Sequence, residues 1–192
     1  DPFLQRNASF LTPIAKSFCT ELGGKIADLS LQIHGGMGFI EETGAAQHYR
    51  DARIAAIYEG TNGIQANDLL GRKVLKDRGA AMRSYIAEIF QTAESLKSNP
   101  EFKTISEMLQ DAAKNLEETT NFVIENSKLG QGFVGAVAFN FLMLMGYVSG
   151  AWYMARSGEQ VVLHSGDIDK EFLSRKLSSV KFYFAQLLPR HK

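Results

Sequence analysis

Residues Phe102 to Val123, FKTISEMLQDAAKNLEETTNFV, decide the fold class. Phe102, Ile105, Leu109, Ala112, Leu116, Thr119 and Val123 recur in alternating steps of three and four, and the charged side chains fill the other face. That spacing puts every member of the stripe on one side of an α-helix. A helix of this kind needs apolar partners, and the flanking segments offer them. Upstream, Met82, Ile86, Ile89, Ala93 and Leu96 repeat the pattern until Asn99-Pro100 breaks it. Downstream, Asp167 is the expected N-cap of a last helix whose face is Phe172, Leu177, Val180, Phe184 and Leu187, ended by Pro189.

The amino-terminal part is also helical in pattern. Thr12-Pro13 predicts a helix start, with a capping hydroxyl followed by proline at the first helical position. Ile14, Phe18, Leu22, Leu29 and Ile33 then recur until Gly35-Gly36 stops the run. Thr43 is expected to cap a short helix through Arg50. Thr61 is expected to cap another, running to about Asp77 and ended by Arg78-Gly79. No segment alternates as a strand would, so the fold class is all-α. A boundary at Asp77 to Gly79 divides the chain into residues 1–78 and a helical extension, 79–192.

Gly130 to Ala155 is a run of 26 residues without a charge, long enough to span a bilayer. Gln131, Asn140 and Ser149 interrupt it, and many of its positions are Gly or Ala. A helix apolar all round is equally the most buried member of a bundle, and we read no membrane span here. Lys plus Arg and Asp plus Glu balance at 21 each, so no net field attracts nucleic acid. Cys19 is the single cysteine. It cannot form an internal disulfide, and it reads as a small side chain packed in a helix. Its solitude fits a reducing, cytoplasmic compartment. The four histidines are scattered, and no metal site is assigned.

Chemistry concentrates in three segments: Leu31-Gln32-Ile33-His34-Gly35-Gly36-Met37-Gly38-Phe39, Tyr49-Arg50-Asp51-Ala52-Arg53, and Ile57-Tyr58-Glu59-Gly60-Thr61-Asn62. In the last, a carboxylate sits on a glycine turn just before a helix start. Glycine lets backbone approach a ligand closely, and Tyr58 supplies an aromatic wall. Read alone, Gly35-Gly36-Met37-Gly38 is a helix terminator, and it follows a helix where a dinucleotide fingerprint would follow a strand. Arg50, Asp51 and Arg53 read as an ion-pair cluster fixing the loop ahead of Glu59.

In this order and spacing, the three segments closely resemble the C-terminal part of the flavin-dependent acyl-CoA dehydrogenases. The resemblance is dense from Leu11 to Lys73. Beyond it, Glu59-Gly60-Thr61-Asn62-Gly63-Ile64-Gln65, Leu70-Gly71-Arg72-Lys73 and the helical tail resemble the large branch that includes the 3-methylmercaptopropionyl-CoA type. The resemblance implies FAD as cofactor and α,β-dehydrogenation of an acyl-CoA, with Glu59 as the base that removes the α-proton and Gly60 against the substrate. It implies FAD contacts at Gln32, Ile33, His34, Gly35 and Gly36 toward the adenosine-diphosphate half, and at Thr61, Asn62 and Gly63 toward the flavin. Gly63 departs from the Glu or Gln of smaller members, which leaves only its backbone for contact. An electron-transferring flavoprotein as acceptor and a homo-oligomer sharing FAD between subunits are implied as well. The alternatives are an acyl-CoA oxidase, in which dioxygen reoxidises the flavin, and a non-catalytic helical interaction module on the same scaffold. The opening Asp1-Pro2-Phe3 lacks an initiator Met. The expectation is a piece of a longer protein, inactive and without FAD when isolated.

Overall fold

The computed structural model describes the backbone of residues 2–191 and the side chains of residues 8–190. Among the described residues eight α-helices follow one another: α1 (Pro2–His34), α2 (Gly36–Phe39), α3 (Ala45–Ile54), α4 (Asn62–Asn67), α5 (Ala80–Leu96), α6 (Lys103–Asn126), α7 (Gln131–Leu163) and α8 (Lys170–Phe182). Short 3-10 turns and two π-helical stretches, Asp68–Val74 and Tyr183–Leu187, complete the chain, and among the described residues there is no β-strand. The all-α class is therefore observed. Two compact units divide the molecule: residues 1–73 with 130–142, and residues 74–129 with 143–192.

In the second unit the stripes behave as their spacing requires. Met82, Ile86, Ile89, Ala93 and Leu96 of α5 are buried, as are Phe102 and, on α6, Ile105, Leu109, Ala112, Leu116 and Val123. Thr120, not Thr119, is the buried threonine. Its Oγ1 donates to the Leu116 carbonyl at 2.6 Å, which satisfies the hydroxyl within its own helix. Ser106 Oγ donates to the Ala93 carbonyl at 2.6 Å and so bonds α6 to α5 inside the core. A second polar link is aromatic. Tyr85 Oη donates to Ser149 Oγ at 2.9 Å, and Trp152 Nε1 donates to Thr92 Oγ1 at 2.7 Å. The Tyr85 and Trp152 rings meet edge to face at 5.2 Å. Burial pushes the Tyr85 phenol well above its ordinary range. Gly150 makes a close approach possible: a Cβ there would collide with the Tyr183 hydroxyl, which instead donates to the Tyr147 carbonyl at 3.1 Å.

Several boundaries differ from the sequence expectation. The helix that Thr12-Pro13 was expected to start begins at Pro2, and Pro13 lies inside it. Proline has no N–H to give the carbonyl four residues earlier. Thr12 Oγ1 donates to the Ala8 carbonyl at 2.8 Å, a bond within the helix and not a cap. Thr43 does not cap α3; its Oγ1 donates back to the Met37 and Ile40 carbonyls, and Gly44, in the left-handed region at φ 75°, precedes the helix. The cap of α8 is Asp169, which accepts from the Phe172 amide at 2.9 Å; Asp167 lies two residues too early. Pro189 does not stop the chain's helical course, which continues as a 3-10 segment to His191. On the last face Val180, Phe184 and Leu188 are buried, while Phe172 is exposed. Cys19 is exposed, not packed.

Helix α7 is long and apolar enough to cross a membrane by length and composition, and half of its most apolar window is buried inside the protein. In the first unit, Phe10, Ile14 and Phe18 of α1 are buried, together with Ala66 of α4 and Leu69 and Leu70 of the π-helical stretch. The carboxyl half of the α1 stripe is not covered: Leu29 is 60% and Ile33 84% exposed.

Candidate active site

The carboxylate singled out in the sequence stands on a turn between α3 and α4. Helix α3 ends with the Ile57 and Tyr58 amides both donating to the Ile54 carbonyl, at 2.9 and 3.2 Å. Glu59 and Gly60 then take successive left-handed conformations, φ 53° and 87°. Glycine adopts this backbone freely, whereas for glutamate it is strained. Thr61 opens α4, its hydroxyl accepting from the Ile64 amide at 3.4 Å, so the expected N-cap is present. Gln65 Nε2 reaches back to the Glu59 carbonyl at 3.3 Å, and the Asn62 amide donates to the Ala56 carbonyl at 3.2 Å. The turn presents the Glu59 side chain outward, beside an exposed Tyr58.

Asn62 does the opposite. It is 6% exposed, and its side chain faces α1. Lys16 Nζ donates to Oδ1 at 3.0 Å, and Nδ2 donates to Thr20 Oγ1 at 3.0 Å and to Glu21 Oε1 at 2.8 Å. The backbone amide and side chain of Asn62 are thus engaged within the fold, which leaves Thr61 and Gly63 as the exposed members of the trio expected to meet the flavin. Sequence reasoning missed this network. Its only trace was the i, i+4 spacing of Lys16 and Thr20, which puts those two on one helix face.

The second expected cluster lies at the carboxyl end of α1. Gln32, Ile33, His34, Gly35 and Gly36 are all exposed. The Gly35 amide donates to the Gln32 carbonyl at 3.0 Å, and Gly35 turns at φ 60°. His34 Nδ1 lies 2.8 Å from the Ser30 carbonyl. Gly38 is buried against α1, where a Cβ would collide with the Leu31 carbonyl, so the chain can fold tightly back over the helix end. Side-chain atoms added at Gly35 or Gly36 would meet nothing within 4 Å. Gly35 is 15 residues beyond Thr20, about 22 Å along the helix at ~1.5 Å per residue. The two expected contact segments are separate platforms.

The expected cluster of Arg50, Asp51 and Arg53 is not one ion-pair group. Arg50 makes a two-pronged bond with Glu41, at 2.9 and 2.8 Å, and also donates to Gln47 Oε1 at 2.9 Å. Hydrogen bonding from Arg50, and then its charge, holds the Glu41 carboxyl below its ordinary range. Asp51 takes a bond from Gln47 Nε2 at 2.7 Å. Arg53 turns to a cleft of about 330 Å³ between α1 and α3, which Glu21, Lys25, Asp28 and Tyr49 also line. One helical turn separates Arg50 from Arg53, and the spacing gave them different neighbours.

Two family models match the chain. One described as "Acyl-CoA dehydrogenase, C-terminal domain" covers residues 5–74, and one described as "Acetyl-CoA dehydrogenase C-terminal like" covers residues 85–192. The chain belongs to the acyl-CoA dehydrogenase family. Among similar proteins, a 3-methylmercaptopropionyl-CoA dehydrogenase of Ruegeria pomeroyi is 41% identical over 96% of this chain and 32% of its own length. A butyryl-CoA dehydrogenase of Syntrophomonas wolfei is 29% identical over 92% of the chain and 30% of its own length. A broad-specificity linear acyl-CoA dehydrogenase of Mycobacterium tuberculosis is 27% identical over 93% and 31%. The chain therefore spans about a third of the length of the relatives it matches.

Proposed function

We propose that this acyl-CoA dehydrogenase chain carries the α-proton base, Glu59, of an FAD-dependent α,β-dehydrogenation of an acyl-CoA thioester. The observation that carries the reading is the turn itself. A non-glycine carboxylate is held in a left-handed conformation, next to a left-handed glycine, with its side chain outward. Backbone strain of this kind persists only where neighbouring structure imposes it, and it clusters at functional sites. Gly60 lets a thioester approach the main chain, Tyr58 offers a flat apolar wall, and Glu59 takes the α-proton on a carboxylate oxygen.

FAD would supply the acceptor for the hydride that leaves the β-carbon. The residues fit such a group at two places. Gln32 to His34 form the exposed last turn of α1, and Gly35 and Gly36 follow with open space beside both, so that backbone can approach a ligand closely there. Thr61 and Gly63 stand exposed at the opening of α4. In the complete protein we assign the covering walls to parts of the polypeptide beyond this chain and to a second subunit of a homo-oligomer. An electron-transferring flavoprotein is the proposed electron acceptor, and the proposed location is the cytoplasm, with α7 as a core helix and no membrane span. We also propose the boundary at Asp77 to Gly79 as the junction between the catalytic part and the extension.

The test is Glu59→Gln in the complete flavoprotein. The amide keeps the shape of the side chain and loses its basicity. Turnover should fall by at least about 10² to 10⁴, the usual worth of general base catalysis, while bound flavin is retained. A rate above about a tenth of the unaltered protein's would put the base elsewhere.

A further inference from the structure

We propose that Asn62 is the positioning residue of the base: its buried amide clamps the Glu59 turn onto α1 through Lys16, Thr20 and Glu21. The inference rests on Glu59 being the base. Two successive left-handed residues make the turn prone to relax. Among the described residues, the side-chain bond to Glu59's own backbone is the 3.3 Å contact from Gln65. The short bonds lie three residues on. Lys16 Nζ and Glu21 Oε1 flank Asn62 at 3.0 and 2.8 Å, a cation and an anion five positions apart on one helix. Thr20 Oγ1 sits between them, 3.0 Å from Nδ2.

Only a carboxamide satisfies this set. Its oxygen accepts from the ammonium while its nitrogen donates to the carboxylate and the hydroxyl. An aspartate at the same place would set two carboxylates together, and an alanine would leave the half-buried partners without their bonds to Asn62. The backbone amide of the same residue donates to the Ala56 carbonyl at 3.2 Å, which closes the loop from the end of α3 to the start of α4. Asn62 therefore holds both ends of the turn from which Glu59 projects. Movement of the turn by about 1 Å would take the carboxylate out of line with the α-proton, a displacement that costs on the order of 10²-fold in rate.

The experiment exchanges the two groups. In the complete flavoprotein, N62D should lower kcat about ten- to a hundredfold with KM nearly unchanged and flavin retained. Amide hydrogen exchange over residues 57–65 should quicken in the same variant. The double substitution N62D/E21Q returns one amide and one carboxylate to the pair, and it should recover most of the lost kcat and of the exchange protection. A kcat within about twofold of the unaltered protein, or a folded, flavin-loaded double variant with no recovery, overturns the proposal. Should N62D fail to fold, Thr20→Val removes one partner while α1 stays intact, and unchanged exchange at Glu59 and Gly60 overturns it as well. Glu59→Gln is run alongside. Full activity there overturns the base assignment and the positioning role with it, whereas an inactive Glu59→Gln with an unaffected N62D overturns the positioning role alone.

Discussion

The two units of this chain handle apolar surface in opposite ways. In the second unit the stripes close on each other: Leu109, Leu116 and Met145 have no exposure at all. In the first unit, Ile33, Met37, Phe39, Ile57 and Tyr58 stand in the open, Ile33 at 84% and Phe39 at 85%. Those residues lie in or beside the two segments proposed to meet FAD and substrate. Apolar area hidden from water stabilises a fold in proportion to that area, so the second unit closes its stripes on one another, while the first leaves the segments of the candidate site on a surface. A closed core needs only matching periodicity. An open surface has individual residues joined by polar bonds, as in the Asn62 network and the Arg50 bond to Glu41.

The comparison can be broken most directly by truncation. In urea unfolding of the 192-residue chain, Leu109→Ala should cost about 2–5 kcal/mol through a cavity in the closed core. Ile33→Ala, an equally apolar change in the open unit, should stay within about 0.5 kcal/mol. Similar losses for both would mean that Ile33 is packed and the contrast is false. A finer probe is Tyr85→Phe. It removes the bond to Ser149 at full burial and leaves that hydroxyl without its donor, for an expected loss of about 1–2 kcal/mol by the same measurement. No change would show that the polar link adds nothing to the core's packing.

The smallest effect belongs to the open unit. Glu41 has a lowered pKa in the folded chain, because Arg50 bonds its charged form. A depressed carboxyl contributes its stability above the unfolded value, 4.5, and loses it as pH falls through the lower folded value. Glu41→Gln should therefore matter slightly at neutral pH and not at all once the carboxyl is protonated. Urea midpoints of both forms at about pH 6 and about pH 3 would reveal the convergence. Both groups are exposed, so the difference should be small and should shrink with added salt.

Helix content and the closed core were legible in the amino acids. The stripes of α5 and α6, the Asn99-Pro100 break and the Thr61 cap all lie where spacing and local chemistry put them, whereas the helix expected to run from Thr61 to about Asp77 passes into a π-helical stretch at Asp68 and ends at Val74. Each depends on residues a few positions apart, whose relation helical geometry dictates in advance. The motif that carries Glu59 was legible for a similar reason, being a short run of adjacent residues. Choices among near-equal local options were less so. Thr12 and Thr43 had the right chemistry to cap, yet each found a carbonyl to donate to instead, and Asp169 displaced Asp167.

What the sequence determined by itself is that this chain makes helices, where some of them end, and which family its motifs resemble. The tertiary structure decided which side chains face inward. Ile33 and Leu109 are alike in the pattern, and only packing leaves one in water and the other dry. Asn62 stands next to Thr61 in the motif, and only the approach of α1, more than forty residues earlier, turns its amide onto Lys16, Thr20 and Glu21. Periodicity is a local property that a stretch of chain carries with it. A partner distant in sequence is known only once the backbone has brought the two together.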